Sequence, residues 1–245
     1  MGGLFYNLGK KVGPKIRKVK WLWQSIAGSK ADAIEAEKEV GRDLAYQIKN
    51  QLGLDQNSQA KQTLDEIGHR LAGCVTDKSR TFSFEIVKGT QPNAFALPGG
   101  FIFVTRSLLE LCQWNNNEIA FILGHEMSHV IRGHAMDRII SNSAIATASR
   151  AAPIRSLLTG WLRTVGVRFL ESAYSQELES DADKLGVRMV RAAGFDPDAC
   201  AQLLSRLAKY SPSDGKPDLG NYFSSHPAFE KRIKNIHHLL QKETR

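Results

Sequence analysis

Apolar residues recur along this chain with two different periods, and the change from one to the other separates helical from extended segments. Ile34, Val40, Leu44, Ile48 and Leu52 repeat at helical spacing, as do Leu64, Ile67, Leu71 and Val75; two amphipathic helices are therefore predicted before any strand. Phe82, Phe84 and Ile86 then alternate with polar neighbours as one strand. Gly89 to Gly100 is expected to loop into a second strand, Phe101 to Val104. Beyond it the helical period returns in Ile119 to Leu123 with Val130 and Ile131, behind a start at Asn117-Glu118, and in Leu178, Ala182, Leu185 and Met189. A helix over Ala199 to Tyr210 and a polar loop over Ser211 to Ser225 follow. The predicted class is α+β, mainly helical, with a small β-sheet beside the helix that begins near residue 117.

With 245 residues, 42% of them hydrophobic, the chain can bury one substantial core. Its net charge of +8 is unevenly placed. Lys10, Lys11, Lys15, Arg17, Lys18, Lys20 and Lys30 fall within residues 1–31, where there is no acid, so the rest is near neutral. The division is a basic amphipathic segment over 1–31 and one domain over 32–245. Leu4, Phe5, Val12, Ile16, Trp21 and Trp23 are interleaved with those lysines, as suits a segment lying on an anionic membrane surface. A basic tail, or a helix docked on the body, is the plainer alternative, and nucleic acid is the less favoured partner. Charges interrupt the segment throughout, unlike a secretory signal. Arg150, Arg155, Arg163 and Arg168 cut the longest apolar stretch, Ser141 to Leu170, below membrane-helix length. The expected location is cytoplasmic or peripheral to a membrane. Cys74, Cys112 and Cys200 are isolated, as free thiols in a reducing compartment would be.

The most informative chemistry is His125-Glu126-Met127-Ser128-His129. Imidazoles at i and i+4 leave one helix face together and can share a divalent ion, and a carboxylate between them can take a proton from water that the ion activates. Two core histidines satisfied by backbone or water are the plainer alternative. A catalytic zinc takes three protein ligands and keeps a position for water. His134 is out of register for the third, since a continued helix would rotate it away from the ion, and it is read as structural or as a neighbour of a ligand. Glu179 and Asp183 also stand at i and i+4, beside the apolar stripe of their helix. Glu179 can complete the set, and Asp183 can accept the free N–H of a ligating imidazole; a solvated acidic face is the alternative. Glu177 and Asp181 are expected to face solvent.

In four segments the sequence resembles the gluzincin-type metallopeptidases that include HtpX, the type I CAAX prenyl proteases and the mitochondrial inner-membrane stress protease. They are Asn93-Ala94-Phe95-Ala96-Leu97-Pro98-Gly99-Gly100 with the strand after it, Gly124 to His129, Glu179-Ser180-Asp181-Ala182-Asp183, and Ser225-His226-Pro227 with Arg232. The resemblance runs from about residue 60 to 240, and implies a zincin-like catalytic domain with one zinc ion held by His125, His129 and Glu179, and Glu126 as base. It also implies that the glycine-bounded strand Phe101 to Val104 offers its edge to an extended polypeptide substrate, with Asn93, Ala94, Phe95, Gly99 and Gly100 as substrate-binding positions. His226 is the candidate donor to the oxyanion, with Arg232 as an orienting or charge-balancing neighbour; a helix cap before Pro227 is the alternative for His226. The expected function is hydrolysis of exposed or unfolded protein segments in quality control. The competing reading is an adaptor or chaperone that keeps the metal without catalysis.

Overall fold

The computed structural model describes residues 29–142, 173–209, 226 and 229–243. Among them are helices α1 (Lys30–Leu52) and α2 (Ser58–Gly73), strands β1 (Ser83–Val87), β2 (Ala94–Leu97) and β3 (Phe101–Thr105), and helices α3 (Arg106–Leu111), α4 (Asn116–Ile131), α5 (His134–Asn142), α6 (Gln176–Ala192), α7 (Asp198–Lys209) and α8 (Phe229–Glu243). Side-chain caps set the helix starts. Ser29 and Asp32 form a capping box on α1, while Asn57, Thr105, Asn115 and Ser175 each accept from first-turn amides of α2, α3, α4 and α6.

The sheet is mixed, in the order β1-β3-β2, with β1 parallel and β2 antiparallel to β3. Two expectations are corrected here. Ala94–Leu97, inside the stretch expected to loop, is a strand, and Phe101–Thr105 is the central strand rather than an edge, because β2 folds back onto its open side. The edge beside α4 is therefore β2. A four-residue strand buried on both faces lacks the apolar/polar alternation that would betray it in sequence.

Period-two geometry divides the core across the sheet. Phe84, Ile86, Ala94, Ala96, Ile102 and Val104 join a cluster with Leu64 and Leu71 of α2 and Leu123 and Met127 of α4. Val87, Phe95, Leu97 and Phe103 join the other, with Val40, Leu44 and Ile48 of α1 and Met136, Ile139 and Ile140 of α5. The Pro98–Gly100 turn is jammed under α1: a Cβ on Gly41 would stand 1.8 Å from Pro98 O, and one on Gly99, whose φ is +74°, would stand 2.5 Å from Lys38 Cα. Gly100 packs as closely on Thr81 O. Gly99 and Gly100, expected to bind substrate, thus have no room for a side chain.

Residues 138–160, rich in small residues and without clear caps, are read from sequence as a mobile cover over the cleft; 138–142 belong to α5, while the remainder, the polar loop 211–225 and the basic segment up to residue 28 lie outside the described residues. No helix among the described residues is long and apolar enough to cross a membrane. Cys74, Cys112 and Cys200 are free, the last two buried.

Candidate active site

Helix α4 is apolar nearly all round, so it runs through the interior with His125, Glu126 and His129 at zero exposure. Its closest neighbour is α6, because the two helices cross where both lack a side chain: a Cβ on Gly186 would come 3.1 Å from His125 N. That crossing brings Glu179 and Asp183 of α6 onto the imidazoles. Glu179 Oε1 is 3.4 Å from His129 Nε2, and Glu179 Oε2 is 3.6 Å from His125 Nε2. The two Nε2 atoms are 3.1 Å apart. His226 closes the group, its Nδ1 lying 3.2 Å from His125 Nε2 and 3.0 Å from Glu179 Oε1.

These four residues each aim one ligand atom at a common point, all within 4.8 Å of one another. The spacing fits a cation, since ligands about 2.0–2.1 Å from a tetrahedral ion stand about 3.3 Å apart. The proton inventory agrees. His125 Nδ1 is 2.9 Å from Asp183 Oδ1 and can hold a proton there, which leaves Nε2 to face two other ring nitrogens and a carboxylate, where a cation can take its lone pair. His129 Nδ1 is 3.1 Å from His134 Nδ1, so His129 too can turn a lone pair inward. His134 is not among the four clustered residues, yet it is not turned away as a continued helix would require. Helix α4 ends at Ile131, Gly133 adopts φ +79°, and α5 restarts the chain at His134. Asp181, expected to face solvent, is half-exposed and pairs with Arg132 at 3.1 Å.

Arg232 ties the carboxylates together. Its Nε and Nη2 donate to the two Asp183 oxygens at 2.8 and 2.7 Å, and its Nη1 lies 2.8 Å from Glu179 Oε2 and donates to His226 O at 3.2 Å. Burial opposes the charged form of Glu179, but His226, Arg232 and His125 outweigh it and hold the carboxyl well below its usual range. Asp183 is lowered against burial by Arg232 and His125. Burial drives His129 down and takes His134 to about 4, so both rings are neutral. For His125, burial and Arg232 favour the neutral ring, and Glu179 and Asp183 reverse the balance and raise it. Glu126 stands apart from this network: neither oxygen has a hydrogen-bond partner among the described residues, and its Oε1 lies 3.4 Å from His226 Nε2.

The register of β2 decides which of its backbone groups are free. Thr105 N donates to Asn93 O at 2.8 Å, so alternate residues 93, 95 and 97 bond inward to β3 while the N–H and C=O groups of Ala94 and Ala96 point outward. Asn93, Ala94 and Phe95 are buried, and Phe95 stacks on Phe103 with ring centroids 5.4 Å apart. The outward carbonyl of Ala96 accepts from Arg138 Nη2 at 3.5 Å. Two residues beside the site had no signal in the sequence: Arg138, and Tyr174, whose ring stacks on His129.

Two imidazoles and an adjacent carboxylate on one buried helix, a second carboxylate brought against them by another helix and a small mixed sheet alongside are the makings of a metallopeptidase domain. The chain belongs to peptidase family M48, whose family model matches residues 58–240. It is 30% identical over 160 residues to the mitochondrial metalloendopeptidase OMA1 of Schizosaccharomyces pombe, covering 65% of this chain and 47% of that protein. It is 28% identical over 185 residues to metalloprotease LoiP of Escherichia coli (74% and 70%), and 26% over 215 residues to the beta-barrel assembly-enhancing protease of the same organism (82% and 43%). The chain spans about half the length of most of the curated relatives it matches.

Proposed function

We propose that this chain is a zinc-dependent metalloendopeptidase that hydrolyses peptide bonds in exposed or unfolded protein segments, in protein quality control. His125, His129 and Glu179 hold the ion in this reading, a nitrogen and oxygen set that suits zinc. Bound zinc supplies Lewis acidity, polarising the scissile carbonyl and making water acidic enough to attack. The observation that carries the reading is Glu126. A fully buried carboxylate with no hydrogen bond among the described residues is costly to keep, and it is explained by a proton that Glu126 must take from the attacking water and return to the leaving amine nitrogen. An adaptor that merely retained metal gives Glu126 no task.

His226 has two faces in this scheme. Its Nε2 is on the Glu126 side, where a donor can meet the negative charge that develops on the carbonyl oxygen. Its Nδ1 is among the ligand atoms, so the donor role requires the ring to leave Glu179 as substrate enters. Arg232 and Asp183 keep His125 in one tautomer and orientation. Substrate pairs as an added strand with the outward groups of Ala94 and Ala96, which read backbone more than side chain and make cleavage preference broad. Asn93 and Phe95 hold that strand in register. Relatives named as a mitochondrial metalloendopeptidase and as a beta-barrel assembly-enhancing protease support a role in protein quality control. The basic segment 1–31 is read as a contact with anionic lipid; its removal is expected to abolish co-sedimentation with anionic vesicles while hydrolysis persists.

The test is casein hydrolysis by the zinc-loaded protein, by a chelated sample and by Glu126→Gln, with metal content measured on each. Zinc retained by Glu126→Gln together with loss of hydrolysis is the expected result. Undiminished hydrolysis by that variant overturns the proposal.

A further inference from the structure

His129 is restrained on two sides besides the one it turns to the ligand cluster. Its Nδ1 meets His134 Nδ1 at 3.1 Å. One face of its ring lies flat against Tyr174, with centroids 3.9 Å apart and planes inclined by 13°. The guanidinium carbon of Arg138 is 4.5 Å from the same Tyr174 centroid, within cation–π range. Two groups this close to one ring cannot share a face, so Tyr174 is sandwiched between them. All three side chains are buried: His129 is 0%, Tyr174 5% and Arg138 7% exposed. Tyr174 immediately precedes Ser175, the N-cap of α6, so the turn that starts the helix bearing Glu179 also delivers this ring.

We infer that Tyr174 is a positioning residue for the metal centre: its ring, wedged between Arg138 and His129, fixes the plane of the His129 imidazole so that Nε2 stays aimed at the ion. One hydrogen bond at Nδ1 constrains a direction and leaves the broad χ2 torsion of a histidine poorly defined; a flat wall removes that freedom. The wall is also electronically suited. An imidazole that gives its lone pair to a cation becomes electron-poor, and the electron-rich face of a phenol attracts it. The ring does this rather than the hydroxyl, because the Tyr174 hydroxyl has no hydrogen-bond partner among the described residues. Arg138 extends the same stack to Ala96 O on the outer edge of β2, so the plane of a ligand and the proposed substrate edge belong to one packed unit.

This inference rests on His129 being a ligand, and its test separates the two. Zinc affinity is measured by chelator competition on the full chain and on Tyr174→Phe, Tyr174→Leu and Arg138→Met, with visible absorption of the cobalt(II)-substituted forms as a report on ligand geometry. Tyr174→Leu is expected to weaken zinc about 10–100-fold, the range for groups that orient ligands, and to change the cobalt bands, while Tyr174→Phe stays within about twofold of wild type. Arg138→Met, which leaves Tyr174 in place and removes its outer support, is expected to weaken zinc by less than Tyr174→Leu; it decides the matter if Tyr174→Leu fails to fold. Wild-type affinity and cobalt bands in both Tyr174→Leu and Arg138→Met, or a loss in Tyr174→Phe equal to that in Tyr174→Leu, overturns the inference and leaves the ligand assignment standing. Failure of the wild type to bind metal overturns both.

Discussion

Arg232 and Asp183 make a buried ion pair whose worth lies in what each would suffer alone. Asp183 accepts from two nitrogens of Arg232 and from His125 Nδ1 while 2% exposed. Asp183→Asn keeps the shape and removes the charge, leaving a guanidinium at 2% exposure with one carboxylate, Glu179, where it had two. Breaking such a pair from one side is expected to cost about 3 kcal/mol, read by denaturant unfolding of the metal-free protein. Zinc affinity is expected to fall about 10–100-fold as His125 loses the partner that fixes its tautomer, read by chelator competition. Asp183 as the acceptor of an imidazole N–H was legible in sequence from its i, i+4 relation to Glu179. The bidentate clasp by Arg232 was not, because nothing local relates residues 49 positions apart.

Between elements, the crossing of α4 and α6 sets the site's dimensions. Gly186→Ala puts a methyl 3.1 Å from His125 N and 3.3 Å from Gly124 C, against backbone that cannot rotate away. The helices must part, at about 1–3 kcal/mol for overpacking, and Glu179 must withdraw from His129. Zinc affinity should therefore drop alongside the melting temperature. Gly73, at the end of α2 with nothing within 4 Å of an added Cβ, is the control. Gly73→Ala should stabilise by up to about 1 kcal/mol through helix propensity and leave zinc binding unchanged, as thermal melts and the same competition assay will tell. Periodicity located both long helices and the first strand. It missed β2, and the family resemblance put the open edge on Phe101 to Val104, since strand order depends on a chain reversal at Pro98–Gly100 whose tightness comes from packing under Gly41.

Across the whole molecule, the titratable groups of the buried site make folding depend on pH, and most of them pull the same way: His129, His134, Glu179 and Asp183 are all lowered in the fold, while His125 is raised. His134 is lowered by burial from 6.5 to about 4, so the unfolded chain binds a proton that the folded one refuses between those values. The contribution of His134 is therefore fully present above 6.5 and is lost as pH falls toward 4. Glu179 and Asp183, whose carboxyls are held low in the fold, add a further loss as pH falls through and below the ordinary carboxylate range. Denaturant midpoints of the metal-free protein should drop steadily below neutrality, and His134→Asn should flatten the upper part of that slope. By itself the sequence determined that His125 stands beside His129 on α4 and Glu179 beside Asp183 on α6, because i, i+4 spacing is a property of one helix and needs no other element. Tertiary structure alone decided that the backbone groups of Ala94 and Ala96 point away from β3, that His226 joins the ligand cluster and that Tyr174 backs His129. Those relations join residues far apart in the chain, and only packing across a helix crossing and a strand reversal brings them within a few ångströms.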